Sequence, residues 1–162
     1  MLYVLKTVFF ASLITVLATG CLEKKMYYPA QVKEKDGLPC FSVEDAKETR
    51  KNTPVISTIT VFEYGNKAEE SIWLRMFPAT ETRVTLSPDQ CIPYGDDGKA
   101  PSLEAGKHYY VFLNADIPKG KDWESRRYGG YFCISNDQSG KAIIHPVVWN
   151  DSKDGYDWSV CQ

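Results

Sequence analysis

Histidine is almost missing from this chain: His108 and His145 are the two in 162 residues. Neither has a matched acid, base or nucleophile near it in sequence, so histidine-centred catalysis has nothing to be built from. There is no G-x-S-x-G, no S-x-x-K and no H-E-x-x-H, the spacings that place a nucleophile or a hydrolytic metal. Gly140-Lys141 lacks the upstream glycine of a phosphate loop. No two cysteines stand as C-x-x-C, which removes zinc knuckles and thioredoxin-like redox sites. A large charge of one sign is missing too: 19 Lys+Arg stand against 21 Asp+Glu, a net of −2, and such a balance argues against nucleic acid as a partner. Asp96-Asp97-Gly98 and Asp151-Ser152-Lys153-Asp154-Gly155 read as Asx turns rather than calcium loops. The chain reads as a non-enzyme that uses neither cofactor nor metal.

What is present begins with an unbroken apolar run, the thirteen residues Thr7 to Thr19, preceded by one cation, Lys6. A membrane span needs about 20 apolar residues, whereas a signal-peptide core needs roughly 7–15. Narrow residues Ala18, Thr19 and Gly20 precede Cys21, an arrangement that resembles the lipobox of bacterial lipoproteins. Residues 1–20 are therefore expected to be a lipoprotein signal peptide, with Cys21 as the lipidated first residue of the mature chain. The competing reading is an ordinary signal peptide with an incidental cysteine. The residues after Cys21 are Leu22-Glu23-Lys24-Lys25, with no aspartate directly following. In lipoproteins of two-membraned bacteria that pattern resembles sorting to the inner leaflet of the outer membrane, facing the periplasm. Residues 21–36 read as a lipidated tether and 37–162 as one domain.

Four further cysteines, Cys40, Cys91, Cys133 and Cys161, form an even set suited to an oxidising compartment. Three pairings are open to them; Cys40–Cys91 with Cys133–Cys161 is favoured because each bridge then staples one end of the domain. Strands are expected at Val55–Val61, Ile72–Phe77, Thr80–Leu86, Cys91–Tyr94, Tyr109–Asn114, Gly130–Ser135, Ala142–Trp149 and Tyr156–Cys161, from alternation and aromatic or β-branched enrichment. Asn136–Gly140 is hairpin-turn material. One short helix fits Ser42–Lys51, with Ser42 and Asp45 at capping-box spacing. This pattern predicts an all-β, disulfide-stapled antiparallel β-sandwich. Leu103, Gly106 and Tyr109 resemble the tyrosine corner of immunoglobulin and fibronectin III-like domains, in which the tyrosine hydroxyl bonds back to nearby backbone. Trp73 is a candidate core tryptophan.

Lys119–Tyr131 (KGKDWESRRYGGY) reads as a polar loop into which Trp123, Arg126, Arg127, Tyr128 and Tyr131 are set. Trp, Tyr and Arg dominate interface hot spots, so these five are candidate partner-binding residues, with packing of the sandwich edge as the alternative. Tyr156-Asp157-Trp158 is a second aromatic-acidic group.

The tether, Gly37–Val43, Glu48–Asn52, the Leu103–Leu113 bend and Ile144–Trp149 together resemble the enterobacterial type VI secretion immunity lipoproteins of the periplasm. The resemblance implies a protein that binds and neutralises a cognate secreted effector. An inhibitor of host lysozyme, or an envelope-assembly lipoprotein with a protein-binding sandwich, is the alternative.

Overall fold

The computed structural model describes residues 27–65, 70–78 and 83–161. The expected signal peptide, residues 1–20, and Cys21 lie outside the described residues. The elements in chain order are β1 (Tyr28–Lys35), β2 (Leu38–Val43), α1 (Lys47–Lys51), β3 (Val55–Glu63), β4 (Ser71–Met76), β5 (Ile92–Pro93), β6 (His108–Lys119), β7 (Asp122–Asn136), β8 (Ala142–Val147), β9 (Trp149–Asn150) and β10 (Gly155–Tyr156). A 3₁₀ turn at Trp158–Cys161 follows. Among the described residues, no helix is long and apolar enough to cross a membrane.

The architecture is the expected all-β one. Strands β4-β3-β6-β7-β8 run antiparallel, and β5-β2-β1 form a second antiparallel set. The two sets join where Tyr28 and Pro29 of β1 pair in parallel with Tyr128 and Gly129 of β7. Phe41 on β2 packs its ring 6.4 Å from Trp73 on β4 and 5.7 Å from Phe132 on β7. Neither β4 nor β7 is a sheet neighbour of β2, so the smaller set lies across the larger like the second layer of a sandwich. Between them sit Val43, Ile59, Val61, Val111, Leu113 and Phe132, all sealed from solvent. Both favoured disulfides form, Cys40–Cys91 and Cys133–Cys161.

Four expectations are corrected. The tether assigned to residues 21–36 is a strand from Tyr28 onward, because Asp36-Gly37 turns the chain back into β2. Both turn residues have positive φ, 54° and 79°, the combination a two-residue hairpin of type I′ requires. The helix is confined to Lys47–Lys51, since Ser42 is buried in β2 and spends its hydroxyl on the Ser87 carbonyl at 3.2 Å. Thr49 accepts the Ala46 N–H instead, at 3.1 Å. Thr80–Leu86 contributes only a bridge between Thr85 and Val55 among its described residues. The C-terminal strand stops at Tyr156, because the Asp157 carboxylate accepts the Ser159 N–H and bends the chain into the 3₁₀ turn.

On β3, alternation alone puts Ile56 opposite Ile59 and Val61, yet all three are buried. A bulge between Ile56 and Thr58 shifts the register and turns Ile56 inward.

The tyrosine corner has the expected geometry. Gly106 bends the chain at φ +81°. The Tyr109 hydroxyl accepts the Glu104 N–H at 2.9 Å and donates to the Glu104 carbonyl at 3.3 Å. Leu103 packs partly buried against the core. Tyr109→Phe is expected to lower stability by about 0.5–1.5 kcal/mol, read as a lower urea midpoint at unchanged slope. An unchanged midpoint would strip the hydroxyl of that role.

Candidate functional site

The segment expected as a loop is the longest hairpin of the fold. Lys119 pairs with Asp122 across Gly120-Lys121, and β6 and β7 then stay in register back to His108 opposite Cys133. Side chains alternate across the sheet along a strand, and this separates the five candidate residues. Arg126 and Tyr128 point into the sandwich; Trp123, Arg127 and Tyr131 point to the outer face.

Arg126 is therefore corrected from partner anchor to internal strut. Its side chain is 5% exposed. The guanidinium donates to both Glu48 oxygens at 2.7 and 2.9 Å and to Glu124 at 2.9 Å, and lies 4.5 Å from the Tyr28 ring centroid. It ties α1 and β1 to β7. Tyr128 is completely buried, its ring 5.8 Å from Tyr28, and burial raises its hydroxyl to about 12. Neither residue is available to a partner in this fold.

This strut is expected to make the fold acid-sensitive. Hydrogen bonding from Arg126 holds the Glu48 carboxyl below its usual range. Lys119 and then Arg126 bring Glu124 down to about 2. A carboxyl depressed in the folded state stabilises the fold above its unfolded pKa and loses that contribution as pH falls through the folded one. The urea midpoint should therefore drop between about pH 4.5 and pH 2. A midpoint flat across that range would contradict the coupling.

The outer face divides into three zones. The first is aromatic. Phe62 stacks on Tyr110 at 4.8 Å, Phe112 lies 5.4 Å from Tyr110, and Tyr131 lies 3.8 Å from Tyr156. The C-terminal segment covers one end of this zone, held by Cys133–Cys161 and by Trp158 stacked 4.2 Å from His108. Asp157 secures that segment by accepting from Lys153 Nζ at 2.7 Å and Ser159 Oγ at 2.6 Å. Beside it runs a groove of about 510 Å³, walled by Tyr27, Phe112, Tyr131 and Trp149. Its floor is Gly129-Gly130. A Cβ on Gly129 would come 3.2 Å from the Phe112 ring, and one on Gly130 would come 3.1 Å from the Ala30 carbonyl.

The second zone is a polar belt. Arg127 Nε donates to Asn114 at 3.0 Å, Asn114 donates to Thr58 at 2.7 Å, and Ser125 donates to Asp116 at 2.6 Å. Arg127 lies over the belt's aromatic border, 5.7 Å from the Tyr27 ring and 5.8 Å from Phe112.

The third zone is the hairpin tip. Trp123 is 50% exposed, with the Arg83 guanidinium 5.3 Å from its ring. It borders an apolar cleft of about 200 Å³ formed with Val55, Phe77 and Val84. Arg75 lies 4.8 Å from the ring of Phe77, another residue of the cleft wall. Two aromatics, each overlaid by an arginine, thus flank one concavity.

Other candidates have structural duties. Asp97 accepts the Trp73 indole N–H at 3.1 Å and the Lys99 N–H at 3.2 Å, which holds its carboxyl below the usual range. His145 is hydrogen-bonded to Ser135 at 2.7 Å. Among the described residues no group of three or more His, Cys, Asp or Glu side chains is placed to hold a metal ion.

No family model matches the chain, and neither the curated proteins nor the solved structures hold a match to it. The site rests on its own geometry.

Proposed function

We propose that this protein is a membrane-anchored periplasmic lipoprotein that binds and neutralises a type VI secretion effector, and that the hairpin tip is the surface it presents. The observation that supports this reading best is Trp123: a large aromatic left half exposed beside an apolar cleft, with Arg83 over its ring. Aromatic and arginine anchors around a pocket are what interface hot spots are made of. The surface is also preorganised. It stands on a twelve-pair hairpin in a sandwich closed by two disulfides, so little ordering entropy is lost on binding. An anchor at Cys21 would confine the protein to the membrane surface, raising its effective concentration where an incoming effector acts.

The test is to direct a candidate effector, a secreted-toxin gene product encoded near this one, to the periplasm and follow growth. Wild-type protein is expected to restore growth and to co-purify with the effector. Trp123→Ala should weaken binding by about 2 kcal/mol or more while the denaturation midpoint stays put. Equal binding by wild type and Trp123→Ala would remove the tip from the interface. Neither rescue nor co-purification by wild type would remove the immunity reading.

A further inference from the structure

The aromatic zone of the outer face has a different character from the hairpin tip. Its solvent-facing members are large and apolar or amphipathic: Trp149 is 51% exposed, Val148 69% and Tyr64 44%. Half-buried Phe112 and Tyr131 lie between them. Tyr27 sits on the same face, its ring 5.0 Å from Phe112, so the chain joins the fold there from its N-terminal side. Tyr27 stands six positions after Cys21. Fully extended, that stretch reaches about 20 Å. A lipid on Cys21 would keep the edge where Tyr27 joins the fold within that distance of the bilayer.

We infer that the aromatic outer face rests on the phospholipid surface, with Trp149, Tyr64 and Val148 in the headgroup region. The inference rests on the Cys21 anchor of the proposed function, and not on its effector. Three observations favour a bilayer as the occupant. Tryptophan and tyrosine are the side chains that settle at membrane–water interfaces, the ring in the apolar layer and the N–H or O–H in the wet one. The basic pair Lys24-Lys25 lies in the connecting segment, where it suits anionic headgroups. The polar belt of Asn114, Asp116, Ser125 and Arg127 then bounds the apolar area on the side towards the tip. Trp123 lies eight residues before Tyr131 on β7, roughly 26 Å away at the strand rise. Contact confined to the aromatic zone would leave the hairpin tip, beyond the polar belt, free.

The experiment uses the full lipidated protein in vesicles of phosphatidylethanolamine and phosphatidylglycerol, with and without brominated phospholipid. Bromolipid is expected to quench the tryptophan emission. Trp149→Phe should lose most of that quenching, and Trp123→Phe should keep it. Protein that floats with the vesicles but is not quenched overturns the docked face and leaves the anchor standing. Protein that does not float overturns both. Quenching that survives Trp149→Phe and disappears in Trp123→Phe would put the tip on the membrane, against this inference. Vesicle-bound protein that is unquenched and cross-links to a second copy through Trp149-side residues would assign the face to self-association.

Discussion

Arg126→Ala is expected to cost about 3 kcal/mol of stability, a large effect for one residue. The guanidinium is nearly sealed from water and bonded to two carboxylates from different parts of the chain. Removing one partner of a buried ionic cluster leaves the rest uncompensated, for which about 3–5 kcal/mol is typical. The Glu48 and Glu124 side chains are 49% and 33% exposed, so water can recover part of their solvation. That places the expected loss at the lower end. The mutant also leaves a hole beneath Tyr28 and α1, which Arg126→Met would fill without restoring the charge. Urea titration should show Arg126→Ala falling furthest, Arg126→Met less, and Trp123→Ala hardly at all. Equal midpoints for wild type and Arg126→Ala would contradict the strut.

Replacing Cys40 and Cys91 together by alanine should cost about 4 kcal/mol in the chain-entropy account. The bridge closes a separation of 51 residues, against 28 for Cys133–Cys161, so it restricts the unfolded chain more. It also binds β2 to the segment that leads into β5. Phe41, the neighbour of Cys40, fills the centre of the core. Loss of the first bridge is therefore expected to lower global stability. Loss of the second, at about 3.5 kcal/mol, should also loosen the C-terminal segment over the outer face. Limited proteolysis would separate them, with early cleavage near Tyr156–Trp158 in the second variant alone. A reduced wild-type domain as stable as the oxidised one would contradict both.

The sandwich was legible because its strands carry the period-two pattern and its turns carry Asp, Asn and Gly. Tyr109 was marked by a resemblance to the tyrosine-corner segment, and the disulfide pairing was favoured because each bridge would staple one end of the domain. Two things were hidden. The Asp36-Gly37 hairpin signal stands beside a charged stretch, Lys33-Glu34-Lys35, so a paired strand looked like a tether. On β7, a charged residue occupies a core position: Arg126 breaks the alternation that Tyr128, Gly130 and Phe132 would otherwise display. Composition alone marks Trp, Tyr and Arg as interface residues, whereas burial depends on strand parity and register. That is why Trp123 stays on the surface while Arg126 and Tyr128 do not. The aromatic outer face was written in Tyr109–Leu113, whose side chains are apolar on both sides of the strand. A strand of that kind needs either a second covering layer or a partner.

The division of labour along β7 is the centre of this account, and amide hydrogen exchange of the vesicle-bound protein measures it most directly. Adding the neighbouring effector should slow exchange at the β6–β7 tip, residues 119–125, and around Phe77. Exchange in Gly129–Tyr131 and Trp149 should already be slowed by the vesicles and should not change further. Slowing at Gly129–Tyr131 on addition of effector, with the tip unchanged, would contradict the assignment of the two surfaces.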